Sequence, residues 1–214
     1  MRYKLIIFDW DGTLMDSLDK IVVCMQAAAK QMQQTIPCEQ SVKNIIGLSL
    51  LNAVQQLFPQ LLLSEQQALV AAYREQYHLH QDIETPLYPG IKTLLTTLKE
   101  QGYLLAVATG KGRNGLDNML AQSGTADLFS ATICADEAHS KPDPLMLDIL
   151  LQQLQVEASE ALMIGDSSYD LAMAEQAGMA SLGVSYGVHD VQKLTQFSPI
   201  MILDNLALEL QQYI

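Results

Sequence analysis

Two aspartates near the start of the chain, Asp9 and Asp11, are well suited to chemistry, because they stand where a strand is predicted to end. The apolar run at residues 5–8 is short, partly β-branched and followed by a glycine, which is typical of a fully buried strand of a parallel sheet. Side chains two apart in extended backbone point the same way, so both carboxylates can face one cavity. Like charges this close favour a cation between them, or a proton retained on one of them.

Two further carboxylates follow a later predicted strand. Asp166 comes directly after the apolar run at residues 161–165, and Asp170 lies one helical turn further on. Open α/β sheets bind ligands at the carboxyl ends of their strands, so we expect Asp166 beside Asp9. Carboxylate oxygens suit Mg²⁺, a hard cation that also binds phosphate. Asp170 and the neighbouring serines could instead only cap a helix.

Hydroxyl and basic side chains complete the set of candidate functional residues. Thr109 and Gly110 end another predicted strand, where a hydroxyl and successive N–H groups can hold phosphoryl oxygens. Lys111 and Arg113 could add positive charge there or could be solvated. A lone lysine such as Lys141 is usually a surface residue, but its position between Thr109 and the later aspartates favours a functional role.

The period of the apolar residues divides the chain into two parts. Residues 18–84 have helical periodicity without a strand signal, which predicts an inserted all-helical cap domain. Residues 1–17 and 85–214 alternate strands with helices, which predicts an α/β core with a three-layer doubly wound parallel sheet. In the cap, a first helix is predicted to begin at residue 18, with Asp16 or Ser17 as its cap. A second helix is predicted to begin at Ser41 and to be broken at Gly47. A long helix is predicted to begin with a capping box at Ser64 and to end near His80.

Strands of the core are expected at residues 5–8, 104–109, 131–134, 161–165, 180–184 and 200–203. Helices are expected from residue 91 to Gly102, from Asn114 to Gln122, from Asp143 as N-cap and Pro144 as first residue, from Asp170 to Ala177, and after Asp204 or Asn205.

The composition narrows the class of protein. With 214 residues, 49% of them hydrophobic, the chain can bury a sizeable core, and its net charge of −12 argues against nucleic acid or an anionic membrane as a partner. Cys24, Cys38 and Cys134 are widely spaced, so we expect no disulfide framework or zinc site and a reducing cytoplasm. We expect no signal peptide, no membrane-spanning run, and a monomer or homodimer. His139 and His189 are expected to be solvated.

The run Asp9-Trp10-Asp11-Gly12-Thr13 resembles the first motif of the haloacid dehalogenase superfamily, whose members are aspartate-nucleophile phosphohydrolases. Thr109 resembles the second motif, Ser140-Lys141-Pro142 the third, and the run from Gly165 to Asp170 the fourth. The similarity is to phosphoglycolate phosphatase-like and beta-phosphoglucomutase-like members, and it covers nearly the whole chain. It implies a Rossmann-like core with an α-helical cap inserted after the first strand.

The resemblance also implies roles for individual residues. Asp9 would be the nucleophile that forms an aspartyl-phosphate, and Asp11 would protonate the leaving oxygen and then deprotonate water. Lys141 would hold the nucleophile and the phosphoryl group together. Mg²⁺ would be held by Asp9, the Asp11 backbone carbonyl, Asp166 and, directly or through water, Asp170. The predicted substrate-binding set is Gly12, Thr13, Gly47, Thr109, Gly110 and Lys141.

The predicted function is therefore a Mg²⁺-dependent phosphatase acting on a small phosphorylated metabolite: phosphoglycolate, a sugar phosphate, pyrophosphate or a nucleotide. Asp11 argues against a dehalogenase. A sugar-phosphate mutase is an alternative, although its cap typically carries Gly-Val-Ser-Arg where this chain has Gly47-Leu48-Ser49-Leu50. A catalytically silent fold that acts as a binding or scaffold protein is an alternative of another class. Gly47 could let backbone approach the leaving group or could simply end a helix.

Overall fold

A six-stranded parallel sheet forms the centre of the protein in the computed structural model, which describes residues 2–214. The strands are β1 (Leu5–Phe8), β2 (Leu104–Thr109), β3 (Ala131–Cys134), β4 (Ala161–Gly165), β5 (Ala180–Val184) and β6 (Ile202–Leu203). Their order in the sheet is β3-β2-β1-β4-β5-β6, and all neighbouring pairs are parallel. The direction of strand order reverses between β1 and β4, which is where doubly wound sheets open a crevice for ligands.

Helices connect the strands and form a separate block after β1. They are α1 (Leu18–Gln31), α2 (Glu39–Lys43), α3 (Leu50–Leu57), α4 (Leu63–Leu79), α5 (Ile91–Glu100), α6 (Arg113–Ser123), α7 (Leu145–Leu154), α8 (Ser168–Gln176), α9 (Val191–Leu194) and α10 (Leu206–Glu209). Short 3₁₀ turns occupy Ala126–Leu128, Ala158–Glu160, Thr195–Phe197 and Leu210–Gln212. Across residues 2–214, none of the helices has the length and apolar character needed to cross a membrane.

The two faces of the sheet each carry a hydrophobic core. Alternate residues of β1 point to opposite faces, so Ile6 and Phe8 pack with α5, α6 and α10, whereas Leu5 and Ile7 pack with α7 and α8. All four of these β1 side chains are fully buried. Burial on both faces explains why the strands read as continuous apolar runs, and it confirms the predicted three-layer arrangement.

Helices α1–α4 lie between β1 and α5 and have a core of their own, formed by apolar residues such as Met25, Val54 and Leu69. We refer to residues 18–84 as the helical insertion. The segments that lead into and out of it pair with each other: the Asp16 amide donates to the Pro86 carbonyl at 2.8 Å, and the Tyr88 amide donates to the Leu14 carbonyl at 2.9 Å.

The helical insertion contacts the core through the turn that contains Gly47. Gly47 has a φ of +104°, and a Cβ built on it would lie 3.0 Å from Ser167 Oγ. A Cβ on Gly110 would lie 2.5 Å from the Leu48 carbonyl oxygen. The Ser49 amide donates to Ser140 Oγ at 2.8 Å. Two glycines therefore allow the turn to approach both the β2 loop and the β4 loop closely.

Several predicted boundaries are wrong. Helix α2 begins before Ser41, at Glu39, and ends at Lys43, so Gly47 lies in a later turn and does not end a helix. Helix α4 begins at Leu63, one residue before the Ser64 predicted as its cap. The Glu65 carboxylate does accept the Leu62 amide, at 2.8 Å, because an acidic residue in the first turn can satisfy a free N–H group.

Smaller differences occur in the core. Helix α7 begins at Leu145, with Pro144 as its N-cap, and Asp143 accepts the Leu145 amide from one position further back. Strand β6 is limited to Ile202–Leu203, although the Ile200 amide donates to the Ser181 carbonyl at 2.8 Å and the Met201 carbonyl accepts the Gly183 amide at 2.9 Å. Terminal residues of an element are where sequence patterns carry least information, because few backbone bonds hold them.

Gly110→Ala should destabilise the protein, because the new Cβ would meet two backbone carbonyl oxygens, Leu48 O at 2.5 Å and Gly47 O at 2.6 Å. Overpacking of this kind should lower the thermal unfolding midpoint by roughly 2–10 °C. Gly112→Ala is the matched control, since its Cβ would come no closer than 3.4 Å to another side chain. Equal midpoints for the two variants would contradict the close packing of the helical insertion against the β2 loop.

Candidate active site

Three buried carboxylates meet where β1 and β4 end. Asp9 follows β1, Asp166 follows β4, and Asp170 lies in the first turn of α8. One carboxylate oxygen of each lies within 4.8 Å of the others. Because β1 and β4 are neighbours in register, with Phe8 beside Ile164, the residues that follow them necessarily emerge side by side. The group could hold one divalent cation, since its donors are all oxygens.

Lys141 joins two of these carboxylates. Its Nζ lies 2.7 Å from Asp9 Oδ1 and 2.6 Å from Asp170 Oδ1, and its side chain is fully buried. Burial alone would lower the pKa of Lys141, but the charges of Asp170 and Asp9 outweigh burial and raise this pKa above its ordinary value. Lys141 is therefore a fixed positive charge at the floor of the crevice.

The first loop of the chain holds Asp166 in place. Thr13 Oγ1 donates to Asp166 Oδ1 at 2.8 Å, and the Val188 amide donates to Oδ2 at 2.9 Å. Gly12 has a φ of +86°, and a Cβ on it would lie 2.3 Å from Asp166 Oδ2. Gly12 and Thr13 therefore shape the side of the site that Asp166 occupies.

Crowding of like charges changes the acidity of these groups. Burial raises the pKa of Asp9 well above its ordinary value, and Asp170 and Asp166 raise this pKa further, while Lys141 lowers it in part. Burial and then the charge of Asp170 raise the pKa of Asp166 to about 7. A cation bound between these carboxylates would lower both pKa values, because positive charge favours the ionised forms.

Asp170 caps helix α8, which is one of the two roles that the sequence left open, and it also contacts Lys141. Its Oδ2 accepts the Ser167 amide at 3.0 Å and Ser167 Oγ at 2.7 Å, and Ser167 in turn caps the Asp170 amide. This is a capping box at the start of α8. Its Oδ1 faces Lys141 at the same time.

Asp11 lies at the side of the crevice that faces the helical insertion. Ser17 Oγ donates to Asp11 Oδ1 at 2.6 Å, and Lys111 Nζ lies 3.1 Å from Asp11 Oδ2. Only 12% of the Lys111 side chain is exposed, so Lys111 belongs to the site and is not solvated. Thr109, at the end of β2, is buried, and its hydroxyl accepts the Lys111 amide at 3.2 Å.

Arg113 does not join the site. Its guanidinium donates to both Glu137 carboxylate oxygens and to Thr132. The side chain therefore fastens the start of α6 to β3 and the loop that follows it. The sequence left the roles of Lys111 and Arg113 open, and the structure separates them.

Comparisons with known proteins agree with this arrangement. The model of the haloacid dehalogenase-like hydrolase family matches residues 6–184. A protein named probable phosphatase IndB from Dickeya dadantii is 34% identical over 209 residues, which is 95% of this chain and 90% of that protein. A phosphoglycolate phosphatase from Vibrio cholerae is 32% identical over 215 residues, which is 95% of this chain and 93% of that protein.

The chain belongs to the haloacid dehalogenase-like hydrolase family.

A solved structure of a family member supports the fold as well. The crystal structure of a predicted phosphoglycolate phosphatase from Haemophilus somnus superposes with a TM-score of 0.89 at 28% identity, and the match covers 99% of this chain and 98% of that one. The predicted family and the Rossmann-like α/β fold are confirmed, and so is the prediction of an enzyme of the phosphatase class. The roles of individual residues stay predictions.

Tyr77 and Lys20, which lie near Lys111 or near each other, were not assigned a role from the sequence. Lys111 Nζ lies 5.3 Å from the centroid of the Tyr77 ring, and Lys20 Nζ lies 4.6 Å from the same centroid. Lys20 precedes the buried Cys24 and Ala28 by one and two helical turns, so it lies on an apolar face of α1. This position in the sequence could have indicated that the Lys20 side chain is buried. Tyr77 gave no comparable signal, because its nearness to Lys111 depends on tertiary packing.

The prediction that His189 is solvated is wrong. His189 is 3% exposed, its Nδ1 accepts the Ser168 amide at 2.8 Å, and its Nε2 lies 2.7 Å from Lys193 Nζ. Its backbone amide donates to the Asp166 carbonyl at 3.3 Å. His189 thus supports the loop between β4 and α8. His139 is largely exposed, as predicted.

His189→Gln should reduce the loss of stability in acid. Burial and then the charge of Lys193 lower the pKa of His189 to about 4. Below its ordinary pKa of about 6.5 the unfolded chain gains a proton that the folded protein does not bind, so the free energy of unfolding falls as pH drops from about 6.5 towards 4. Urea unfolding at pH 7.5 and 5.5 should give a drop up to about 1 kcal/mol smaller in the variant. His139→Gln is the matched control, and an equal drop in wild type and His189→Gln would refute this account.

Proposed function

We propose that this protein is a Mg²⁺-dependent phosphatase that hydrolyses a small phosphorylated metabolite through an aspartyl-phosphate on Asp9. The observation that carries the proposal is the Lys141 ammonium between Asp9 and Asp170, with Asp166 beside them at the junction of β1 and β4. In the transition state of phosphoryl transfer, negative charge is spread over the equatorial oxygens of the phosphoryl group. Catalysis therefore depends on a nucleophile and on fixed positive charge.

Asp9 supplies the nucleophile. Lys141 donates to Asp9 Oδ1 at 2.7 Å. Within residues 2–214 no side chain donates to Asp9 Oδ2, so Oδ2 is available to attack phosphorus. The P–O bond to the leaving group breaks as the bond to Asp9 forms, and water later splits the aspartyl-phosphate to release inorganic phosphate. Thr109 and the Gly110 amide, at the end of β2 beside β1, are the proposed donors to the phosphoryl oxygens.

Asp11 acts as the acid and then the base. It gives a proton to the departing oxygen in the first step and takes one from the attacking water in the second. Its carboxylate oxygens contact Ser17 and Lys111, so its orientation is set by these two neighbours. Ser17 immediately precedes α1, which links the position of Asp11 to the start of the helical insertion.

Mg²⁺ fits the group of carboxylates, whose buried oxygens otherwise repel one another. Asp9, Asp166 and the Asp11 backbone carbonyl are the proposed ligands. Asp170 accepts three hydrogen bonds, one from the Lys141 ammonium and two from Ser167, whereas Asp166 accepts two from neutral donors; this favours contact of Asp170 with the ion through water. When bound, Mg²⁺ would neutralise the charge that the phosphoryl group brings into the site.

The helical insertion, residues 18–84, would serve as a cap. It connects to the core through two paired segments, and hinge motion needs only a few residues that absorb the rotation. Its Gly47 turn already lies against the β2 and β4 loops, so a closed cap would exclude bulk water from the crevice. We keep Gly47 as a candidate for backbone contact with the leaving group.

The names of relatives favour phosphoglycolate as a substrate, and three free cysteines support a reducing compartment such as the cytoplasm. A screen of phosphorylated metabolites for released phosphate, with Mg²⁺ and with a chelator, tests the proposal. Phosphate release that requires Mg²⁺ would support it. Conversion of a sugar phosphate to its isomer without phosphate release would point to a mutase instead.

Asp9→Asn should reduce phosphate release below detection, because the amide is nearly the same size but cannot attack phosphorus. Asp16→Asn is the matched control: Asp16 is in the same loop but exposed, so the variant should behave as wild type. Thermal unfolding of both variants would confirm that they fold. Near wild-type turnover by Asp9→Asn would sink the nucleophile assignment.

Mg²⁺ should raise the thermal unfolding midpoint, because it binds the folded carboxylate group and not the unfolded chain. At a Mg²⁺ concentration about 100 times Kd, the expected shift is roughly 5–10 °C. Asp166→Asn should lose most of this shift and Asp16→Asn should keep it. A shift that NaCl reproduces at equal ionic strength, or one that Asp166→Asn retains in full, would contradict the proposed metal site.

A further inference from the structure

Lys20 of α1 is a largely buried residue whose side chain has no anionic partner within residues 2–214. The residue is only 7% exposed, and within residues 2–214 it forms no ion pair and no hydrogen bond through Nζ. Lysine is almost never buried in this way unless it is paired, because desolvation of the charge is costly. Lys20 Nζ lies 4.6 Å from the centroid of the Tyr77 ring, which is a cation–π contact and not an ion pair.

The Tyr77 ring connects Lys20 with the catalytic group. Lys111 Nζ lies 5.3 Å from the centroid of the ring and 3.1 Å from Asp11 Oδ2. The Tyr77 hydroxyl is itself buried and has no hydrogen-bond partner among residues 2–214. Two ammonium groups thus lie near the ring of Tyr77, whose hydroxyl is unpaired, and one of them contacts Asp11.

This position is on the leaving-group side of the site. Asp11 must reach the departing oxygen to protonate it, so the rest of the leaving group extends from Asp11 towards the helical insertion. The other basic residues of the insertion are Lys30, Lys43 and Arg74: Lys43 pairs with Glu39, and Lys30 and Arg74 are exposed. Lys20 is therefore the buried cation of the insertion, in the part of the chain that the structure describes.

We propose that Lys20, with the Tyr77 hydroxyl and Lys111, forms a subsite for an anionic group on the leaving group. The substrates would then be phosphate esters or anhydrides whose leaving group carries a second negative charge, a carboxylate or a phosphate, and neutral leaving groups would be poor. The inference rests on the proposed phosphatase function and narrows its substrate class. A negative group bound here would supply the partner that Lys20 lacks and the acceptor that Tyr77 lacks.

The test compares three substrates that differ in the leaving group. These are 2-phosphoglycolate with a carboxylate, pyrophosphate with a second phosphate, and ethylene glycol monophosphate, in which a neutral CH₂OH replaces the carboxylate. The proteins are wild type, Lys20→Met, Lys20→Arg and the control Lys30→Met, which changes an exposed lysine of the same helix. Values of kcat/KM are measured for each pair in the presence of Mg²⁺.

The quantity compared is a ratio: kcat/KM for the better anionic substrate divided by kcat/KM for ethylene glycol monophosphate. Lys20→Met should lower this ratio by roughly 10- to 100-fold. Lys20→Arg should restore most of the ratio because it keeps the charge, and Lys30→Met should match wild type. Which anionic substrate is preferred distinguishes a carboxylate from a phosphate. A ratio near one in wild type, or an unchanged ratio in Lys20→Met, would overturn the subsite and leave the phosphatase proposal intact.

Two measurements that do not depend on turnover complete the test. Calorimetry on Asp9→Asn with Mg²⁺ should show tighter binding of 2-phosphoglycolate or pyrophosphate than of ethylene glycol monophosphate, and Lys20→Met in that background should remove the difference. Equal affinities would overturn the subsite, and no binding of any of the three would overturn the phosphatase proposal together with it. The thermal midpoint of Lys20→Met should be close to that of wild type, since the substitution removes no ion pair or hydrogen bond within residues 2–214. A large fall would indicate a structural lysine and count against the subsite.

Discussion

The ammonium of Lys141 is the interaction on which the site depends. Three carboxylates gather at the ends of β1 and β4, and buried like charges are tolerated only where opposite charge is held among them. Lys141 meets this requirement with two short contacts, to Asp9 and Asp170, and without any exposure of its side chain. Because it contacts two carboxylates on different elements, Lys141 also fixes the start of α8 relative to the end of β1. The positive charge that orders the floor of the crevice is thus the charge that a phosphoryl group would meet there.

Glycines provide the close approaches that this concentration of charge requires. Gly12 lets the first loop reach Asp166, and Gly187 lets the loop after β5 reach it from the other side, where a Cβ would lie 2.1 Å from the Asp166 Cβ. Gly110 does the same for the turn of the helical insertion. Backbone amides and carbonyls can therefore surround the carboxylates at distances that larger residues would prevent.

The sequence predicted the parts of the structure that depend on local patterns. Apolar runs located all the strands, and only β6 is shorter than predicted, because an edge strand has one neighbour to extend it. Asp9 and Asp166 could be placed together from the geometry of parallel strands alone. Boundaries inside the insertion failed at Ser41 and Ser64, because a capping residue works only where the backbone turns, and packing of α1 against α4 decides that.

What could not be predicted are contacts between distant segments. Lys111 and Arg113 are two residues apart and looked equivalent, yet one reaches Asp11 and the other reaches Glu137. His189 was predicted to be a surface histidine, because nothing near it in the sequence indicates that its ring accepts a hydrogen bond from the Ser168 amide. Such contacts arise only when the crossovers of the sheet bring separate loops to the same edge.

The pairing of the segments on either side of the helical insertion has a consequence for how the chain can vary. Since Leu14 bonds to Tyr88 and Asp16 bonds to Pro86, the two ends of a block of more than sixty residues lie side by side. A unit whose ends lie side by side can be lengthened, shortened or replaced without moving the strands that carry Asp9 and Asp166. The reason is that the core is connected to the unit only through these two paired segments. The sheet and the helical block can therefore change independently in evolution.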